Sequence, residues 1–561
     1  MAIGAVGFAL ILLAATVPNS SYSWILRGDA NFDLSWGPSL FRVLAAFHGA
    51  ILVLFAAVMK PSTARELNRL SRDNDPKRIT LPILGTLITL SAVGVGLRLW
   101  NLNTDLWIDE VLTLLDFVRK PFGEILTSFP SQNQHMLYSI LAHASTNWFG
   151  ESPWAIRLPS VLFGVGSIWA FFFLCRHLLG TKEALLGSAL MTVSYHHVWF
   201  SQNARGYTGL LMFTLLATWA WSKALGSNEW LWWSLYGVSI VFGMWVHPTM
   251  AFVVAAHGIL HILFLAAPKL SGDETASSRE RIAGLRPFLT WTLSVTVTLQ
   301  LYALALPEFL AVGLHEESAN SEWTNPLWVV TESIQSLSVG FAGLAFVLIG
   351  GAFVAFGWLS LYKIDRRAGL AMVLPAVLSA ATMLILGHNL WPRFFFFCMG
   401  FGLLIVINGA IQLPRLLQTI RDRSALATGL GVSFSLVLII ASLVTVPKNY
   451  ALPKQDFSGA KEFVERRSAN GDKIVAVRLA GVVYGSYLTP YWPVIATDHE
   501  LEDLHASSNE TIWLVYTLPI EIRAFRPDLW TAIERDYEVV RIFPGTLNGG
   551  EVYVCQKRKD R

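Results

Sequence analysis

Two adjacent carboxylates, Asp109 and Glu110, follow about ten residues after a long apolar segment ends. A carboxylate at the edge of a low-dielectric membrane can serve as a general base, because burial and neighbouring charges shift its pKa. The apolar residues of the same stretch recur on one helical face, which predicts a helix lying along the membrane surface: Leu106, Ile108, Leu112, Leu115 and Val118. Acidic residues beside a membrane helix also act as solvated anchors, and spacing alone does not separate the two interpretations.

Several cationic or titratable residues stand where later apolar segments end on the same side: Arg157, Arg205, His247, His388 and Arg393. A charge at that depth costs several kcal/mol unless it has a partner. The commonest lipid-borne partner is a phosphate, which arginine binds through two parallel hydrogen bonds without losing its own charge. Each residue alone is typical of a snorkelling anchor. Together with the acidic pair, they indicate a site for an anionic substrate.

The composition is that of a polytopic membrane protein. Hydrophobic residues make up 53% and charged residues 14% of the chain, the mean hydropathy is +0.48, and there are 22 tryptophans. The net charge of +3 is small and its basic residues are scattered, which excludes a nucleic-acid partner. The three cysteines lie far apart and predict neither a disulfide framework nor a metal site. Residues 2–17 lack a basic leading region and are expected to remain as a membrane helix.

About thirteen segments are apolar enough to cross the membrane. They centre on residues 3–17, 38–59, 79–99, 157–175, 183–200, 207–222, 230–246, 248–267, 288–306, 338–361, 369–387, 394–411 and 425–446. The basic loop 60–78 is placed in the cytoplasm by the positive-inside rule, with the amino terminus on the same side. The loop 101–155, which carries the acidic pair, is then outside. This topology requires that residues 135–149 form a second surface helix, because a crossing there would reverse every later loop.

Three regions follow from this pattern: an amino-terminal two-helix extension (1–78), a membrane module (79–446) and a carboxyl-terminal α/β domain (447–561). In the last region, residues 472–477, 511–516, 538–543 and 551–555 are predicted as strands, and residues 458–467 and 519–535 as helices. It has no dinucleotide or phosphate-loop glycine motif. We expect an outer domain that has a structural role or guides the acceptor.

The order of these motifs resembles polyprenyl-phosphate-sugar-dependent glycosyltransferases of the C-type fold, in the branch with protein O-mannosyltransferases and the lipid A aminoarabinose transferase. The resemblance covers roughly residues 79–411. Its motifs are Asp109-Glu110, His135-Met-Leu-Tyr138, Arg157-Leu-Pro-Ser160, Ser201-Gln-Asn-Ala-Arg205-Gly-Tyr207 and Arg393-Phe394. The resemblance implies a polytopic helical membrane fold of the C type.

The resemblance also implies roles for individual residues. Asp109 would be the catalytic base, and Glu110 would help to orient or bind. The donor phosphate or substrate would contact Arg205, Tyr207, Arg393, His247, His135, Arg157 and His388. The enzyme would transfer a hexosyl or pentosyl group from a polyprenyl-phosphate donor to a protein, lipid or glycan hydroxyl. The reaction would invert configuration on the outer side of a bacterial inner or plasma membrane.

No cofactor is predicted, although a divalent metal would be compatible with the chemistry. The pairs Glu316-Glu317 and His196-His197 are interpreted as a solvated loop and a polar helix end, because their spacing does not select a metal. Two other functions compete with the glycosyltransferase. A transporter or flippase would use intramembrane charges as a substrate pathway. A non-catalytic scaffold for polysaccharide assembly would not need Asp109.

Overall fold

The computed structural model describes residues 2–58, 79–267, 284–313, 344–419, 424–488, 492–508 and 510–558, with a few isolated positions between 325 and 331. Helices dominate this part of the chain, and a small mixed sheet follows them, so the predicted fold class is confirmed. Among the described residues, six helices are long and apolar enough to cross a membrane, or up to eight if each bent pair is one span. The count of thirteen spans therefore stays a prediction.

The helices of the amino-terminal region and membrane module match most predicted segments. They are Ala2–Thr16, Asn19–Arg27, Gly37–Val58, Leu81–Leu99, Pro153–Leu178, Thr181–Thr192, Tyr195–Ser201, Tyr207–Ser227, Trp230–Val246, Met250–Ala266, Leu285–Tyr302, Leu344–Ile364, Arg366–Leu386, Met399–Gln412 and Ser424–Thr445. The first and third pack closely enough that a Cβ added at Gly7 would lie 2.6 Å from the Gly49 carbonyl oxygen. The basic loop 60–78 and the pair Glu316-Glu317 lie outside the described residues.

The segment 183–200, predicted as one span, is not one continuous helix, and its crossing of the membrane stays a prediction. It consists of Thr181–Thr192 and the short helix Tyr195–Ser201, because Ser194 interrupts the first helix. The Ser194 side chain accepts a hydrogen bond from the His197 amide and so caps the second helix. The predicted span 394–411 likewise begins with a 3₁₀ turn, Pro392–Cys398, before the α-helix starts. Both interruptions deliver predicted site residues to the same side of the module.

The loop 101–155 contains the helices Ile108–Thr113, Phe122–Thr127 and Met136–Phe149, and a π-turn, Leu114–Val118. We call Ile108–Thr113 the acidic helix. The helix Met136–Phe149 has 14 residues, which gives it a length of about 21 Å at 1.5 Å per residue. Because that is less than the roughly 30 Å of hydrocarbon, its length agrees with the predicted surface position.

The apolar face of the acidic helix is not spread on lipid, and the expectation of a helix lying on the membrane surface is corrected here. Ile108 and Val111 are buried in a core that also contains Phe457, Val483 and Tyr484 of the carboxyl-terminal domain. A helix has the same repeat of apolar residues whether its apolar face meets lipid or a protein core. A protein core therefore covers the face that was predicted to meet the membrane.

The carboxyl-terminal domain is a five-stranded mixed sheet flanked by helices. The strands are β1 (Lys473–Val477), β2 (Val494–Ile495), β3 (Ile512–Thr517), β4 (Tyr537–Phe543) and β5 (Val552–Lys557), in the order β2-β1-β3-β5-β4. β1 is parallel to β2 and β3, and β5 is antiparallel to β3 and β4. The helices are Phe457–Arg467, Arg478–Val483, Asp498–Ser507, Pro519–Phe525 and Pro527–Asp536. The predicted helix 519–535 is divided because Pro527 starts a new helix.

Candidate active site

Glu110 is fully buried and forms an ion pair with Arg157. Its Oε1 accepts from Arg157 Nε at 2.8 Å and from the Ala204 amide at 2.6 Å; its Oε2 accepts from Arg157 Nη2 at 2.5 Å and from the Trp107 amide at 3.2 Å. Burial works to raise the pKa of Glu110, but the Arg157 and Lys454 charges and these hydrogen bonds hold it below its ordinary value. Glu110 therefore links the acidic helix to the turn that carries Arg205.

The guanidinium of Arg157 is saturated by protein groups. Besides Glu110, it donates from Nη1 to the Leu102 and Thr104 carbonyl oxygens at 2.8 and 2.9 Å, and from Nη2 to the Asp105 carbonyl at 2.8 Å. A guanidinium whose three nitrogens all donate to protein has little left for a substrate. We therefore assign Arg157 a role in holding the loop, whereas the resemblance implied a contact with substrate.

Asp109, the next residue along, faces a different partner. Its Oδ2 accepts from Arg393 Nη1 at 3.1 Å, and the two side chains retain 12% and 29% of their exposure. The Arg393 guanidinium also lies over the rings of Trp391 and Phe394. Since Glu110 is completely enclosed and Asp109 is not, only Asp109 of the pair can approach a substrate hydroxyl.

His135, Tyr207 and His247 form a cluster of three rings beside these residues. The ring centroids are 4.3 Å apart for His135 and His247, and 5.3 Å apart for Tyr207 and either histidine. The Arg205 guanidinium lies 5.8 Å from the Tyr207 ring centroid. The ring centroids of Phe394 and His247 are 6.5 Å apart. Four separate parts of the sequence therefore meet here. We call the rings of His135, Tyr207 and His247 the histidine–tyrosine cluster.

Backbone amides determine which nitrogen of each histidine carries the proton. The Gly206 amide donates to His135 Nδ1 at 2.8 Å, and the Thr249 amide donates to His247 Nδ1 at 3.2 Å. Nδ1 must therefore be the acceptor, and the neutral ring has its N–H at Nε2. At Gly206, a Cβ would lie 2.9 Å from the Val246 carbonyl and 3.0 Å from His135 Nδ1, so this close approach requires glycine.

Both histidines are held neutral. Burial, and then the charge of Arg205, lower the pKa of His135 well below its ordinary value. The same causes, with Arg393 contributing, lower the pKa of His247 to about 3. Both lie outside the long helices: His135 precedes Met136–Phe149, and His247 follows Trp230–Val246. The two rings therefore present N–H donors without carrying a charge.

Four buried polar atoms of this region have no hydrogen-bond partner within the described part of the protein: His135 Nε2, His247 Nε2, Tyr207 Oη and Arg205 Nε. Buried polar groups are nearly always satisfied, so four such atoms in one cluster are typical of a ligand-binding site. Three of them are N–H donors, and the hydroxyl can donate as well. The chemistry of this set matches a ligand that is rich in acceptor oxygens.

Two motifs hold the turn that carries Arg205. The Ser160 hydroxyl contacts the Asn203 and Arg205 carbonyl oxygens at 2.5 and 2.7 Å. Arg205 Nη1 donates to Thr113 Oγ1 at 3.3 Å, and Thr113 Oγ1 in turn donates to the Asp109 carbonyl at 2.7 Å. Residues that sequence analysis grouped by order thus contact one another directly.

His388 is half-buried, its amide donates to the Met383 carbonyl, and its substrate role stays a prediction.

Sequence analysis did not find the buried cations Arg98 and Lys454. Arg98 donates to Ser201 Oγ at 3.1 Å and lies 2.6 Å from His197 Nδ1, which engages one member of the His196-His197 pair. For Arg98, its position inside an apolar span was a sequence signal of a buried, paired charge. Lys454 had none, because its contacts come from packing between domains. No group of three His, Cys, Asp or Glu side chains within the described ranges could hold a metal.

Comparison with known sequences gives one family match. The sequence model of the family described as dolichyl-phosphate-mannose-protein mannosyltransferase matches residues 134–277, which contain the helix Met136–Phe149 and the Arg205 turn. No curated protein sequence matches the chain. The resemblance to polyprenyl-phosphate-sugar-dependent glycosyltransferases is confirmed by the family match.

Solved structures were compared with the fold of this chain. The apo oligosaccharyltransferase of Archaeoglobus fulgidus superposes with a TM-score of 0.50 at 11% identity, over 84% of this chain and 74% of that one. ArnT from Cupriavidus metallidurans in the apo state gives 0.48 at 11% identity, over 84% and 98%. The archaeal match shows the C-type glycosyltransferase fold.

Proposed function

We propose that this protein is an integral membrane glycosyltransferase that takes its sugar from a polyprenyl-phosphate-linked donor. The sugar is transferred to a hydroxyl of a protein, lipid or glycan acceptor. The observation that carries the proposal is the set of four orphan polar atoms on His135, His247, Tyr207 and Arg205, beside a carboxylate that is accessible enough to act as a base. The family name of the matching sequence model supports a dolichyl- or related polyprenyl-phosphate donor.

A phosphodiester fits this set of donors. Its two non-bridging oxygens share one negative charge, which Arg205 and Arg393 compensate, and the neutral histidines add directed N–H groups. The cluster adjoins the ends of the apolar helices Trp230–Val246 and Tyr207–Ser227. A phosphate held there leaves its polyprenyl chain in the hydrocarbon.

In the proposed reaction, Asp109 removes the proton of the acceptor hydroxyl. The acceptor oxygen attacks the anomeric carbon from the side opposite the phosphate, a new C–O bond forms, and the bond from that carbon to the phosphate oxygen breaks. The bonding electrons leave with the polyprenyl phosphate, and the configuration inverts because the attack comes from the opposite side. Fixed cations and N–H donors, rather than a cofactor, stabilise the charge that develops on the leaving phosphate.

We place the reaction and the carboxyl-terminal domain on the outer side of a bacterial-type inner or plasma membrane. The basic loops of the sequence support this orientation through the positive-inside rule. The short helix Met136–Phe149 supports it as well, because a length of about 21 Å suits a surface segment. The amino terminus would then be cytoplasmic.

The test is transfer of radiolabelled sugar from a panel of polyprenyl-phosphate sugars by the purified full-length protein, with a membrane and protein extract as acceptor. Asp109→Asn should abolish transfer, whereas Asp116→Asn, an exposed acid of the next turn, is the matched control and should transfer like wild type. Full activity of Asp109→Asn would remove the proposed base. If the purified protein is reconstituted into vesicles, accumulation of donor inside them without product would favour the transporter.

A further inference from the structure

Residues near the start of the carboxyl-terminal domain contact the two segments that carry Asp109 and Arg205. The Ile108 amide, at the start of the acidic helix, donates to Gln455 Oε1 at 2.9 Å. Asp105, three residues earlier, accepts from the Ser458 amide at 2.7 Å and from its hydroxyl at 2.9 Å. Lys454 donates to the Gln202 carbonyl. We call residues 454–458 the clamp segment.

Gln455 is completely buried and is anchored on its other side by the sheet. Its Nε2 donates to Thr517 Oγ1 at 2.8 Å and to the Gly550 carbonyl at 3.0 Å. Thr517 ends β3, and Gly550 lies two residues before β5. A single amide side chain therefore connects the carboxyl-terminal sheet to the first amide of the acidic helix.

The acidic helix needs such support. It has six residues, far fewer than the roughly 12–15 at which an isolated helix becomes even marginally stable. The first amides of any helix have no partner within the helix. Here Gln455 accepts from one of them, and the Glu110 side chain accepts from the Trp107 amide. The Asp105–Ser458 contact fixes the chain just before the helix, so its position is determined at two points.

The clamp segment also contacts the turn that precedes Arg205. The Lys454 ammonium lies 5.2 Å from the Trp199 ring centroid, and Trp199 Nε1 donates to Thr546 Oγ1 at 3.0 Å. The domain therefore holds both parts of the site: the helix with the carboxylate, through Gln455 and Ser458, and residues 199–205 with the donor-binding arginine, through Lys454.

We propose that the carboxyl-terminal domain positions the catalytic base, with Gln455 and the Asp105–Ser458 pair as positioning residues for Asp109. The inference rests on the proposed function for its consequence on turnover. The structural claim, that the clamp segment holds the acidic helix, does not depend on which reaction the protein catalyses. Misplacement of a reacting group by about 1 Å can lower a rate by as much as about a hundredfold, so loss of these contacts should reduce turnover measurably.

The experiment compares Gln455→Met, Ser458→Ala and Ser458→Thr in the full-length purified protein. Gln455→Met should lower kcat about tenfold or more and leave KM for the donor unchanged, because the donor-binding rings do not depend on that amide. Ser458→Ala should lower kcat, and Ser458→Thr, which keeps the hydroxyl, should restore it.

Leu501→Ala is the control for general destabilisation. Leu501 is buried in the core on the opposite face of the same sheet. This variant should lower the temperature of thermal unfolding while the folded protein keeps the kcat of wild type. An equal loss of kcat in Leu501→Ala and Gln455→Met, or an unchanged kcat in Gln455→Met, would overturn the positioning role.

Hydrogen–deuterium exchange of residues 106–113 separates the failure of this inference from the failure of the proposed function. Gln455→Met should speed exchange in that segment, and Leu501→Ala should not. If wild type transfers no sugar from any donor, the proposed function fails, and the exchange result still decides whether the clamp segment holds the helix. Exchange that is unchanged in Gln455→Met overturns the clamp.

Discussion

Asp109 and Arg393 lie 284 positions apart in the chain, yet the Oδ2 and Nη1 atoms of their side chains are 3.1 Å apart. In the proposed reaction, the carboxylate must meet an acceptor hydroxyl and the guanidinium must meet the donor phosphate. Each group therefore contacts the other with the same atoms that would contact substrate in the proposed reaction. Binding of the donor would exchange this ion pair for an arginine–phosphate pair.

Asp109→Asn should bind the donor more tightly than wild type while losing transfer. The amide removes a negative charge that competes with the phosphate for Arg393. Because the pair is partly exposed and screened, the gain should be modest, about two- to fivefold in Kd. Titration of the purified protein with a fluorescent polyprenyl-phosphate sugar measures it, with Asp116→Asn as the control. Weaker binding by Asp109→Asn would contradict the exchange of partners.

Glu110→Gln should destabilise the protein strongly. The amide keeps the shape of the side chain but leaves the buried Arg157 charge without compensation, which typically costs about 3–5 kcal/mol. Thermal unfolding in detergent should show the loss. The double variant Glu110→Gln/Arg157→Met should be more stable than Glu110→Gln alone, because the uncompensated charge is removed. Wild-type stability of the single variant would show that the pair is not needed.

In the Lys454→Met background, which removes a buried group beside the site with a pKa of about 7, donor binding should not depend on pH between 6 and 8. His135 and His247 have lowered pKa values, so both are already neutral in the free protein across this window, and a phosphodiester does not titrate there. The same measurement with polyprenyl phosphate should vary, since a phosphate monoester loses its second proton near pH 6. An inflection near pH 6.5 with the diester donor would show a histidine that changes its charge.

Lys454 should make stability rise with pH. Burial lowers its pKa from 10.5 to about 7, although the Glu110 charge opposes the shift. Between those values the unfolded chain binds more protons than the folded protein, so raising the pH favours folding by up to about 1.4 kcal/mol per unit. The stability of wild type relative to Lys454→Met should therefore increase between pH 7 and 9. A constant difference would show that Lys454 titrates normally.

Membrane topology can be tested with single cysteines at Asn147, in the outer loop, and at His499, in the carboxyl-terminal domain. Both residues are exposed, and a cysteine-free background removes Cys175, Cys398 and Cys555. An impermeant maleimide should label both positions in right-side-out vesicles, and in inverted vesicles only after permeabilisation. Labelling of Asn147→Cys from the cytoplasmic side would reverse the proposed orientation.

Local sequence was sufficient to predict most elements of this fold. The apolar segments became helices, and the alternating stretches around Val475, Leu514 and Val554 became adjacent strands, because periodicity is set by local geometry. The motif residues were also predicted to share a site, and the contacts of Asp109 with Arg393 and of His135 with His247 bring them together. The order of the motifs along the chain predicted this shared site, because each motif stands near the end of a helix and these helix ends lie together.

The division of labour within the site was not visible in the sequence. Asp109 and Glu110 are neighbours of the same chemical type, and only packing shows that one is enclosed by Arg157 while the other meets Arg393. The contact of Gln455 with Ile108 joins residues 347 positions apart. A glutamine that caps a helix in another domain has no sequence pattern, since both its donor and its acceptors come from tertiary packing.

Gly206 lies too close to Val246 and His135 for any side chain to fit. Its amide fixes the proton of the imidazole on the far nitrogen, so the ring meets a ligand as a hydrogen-bond donor. Under the proposed function, this main-chain N–H group sets the preference of the cluster for an anion. A comparison of relatives restricted to acidic, basic and aromatic positions would overlook Gly206.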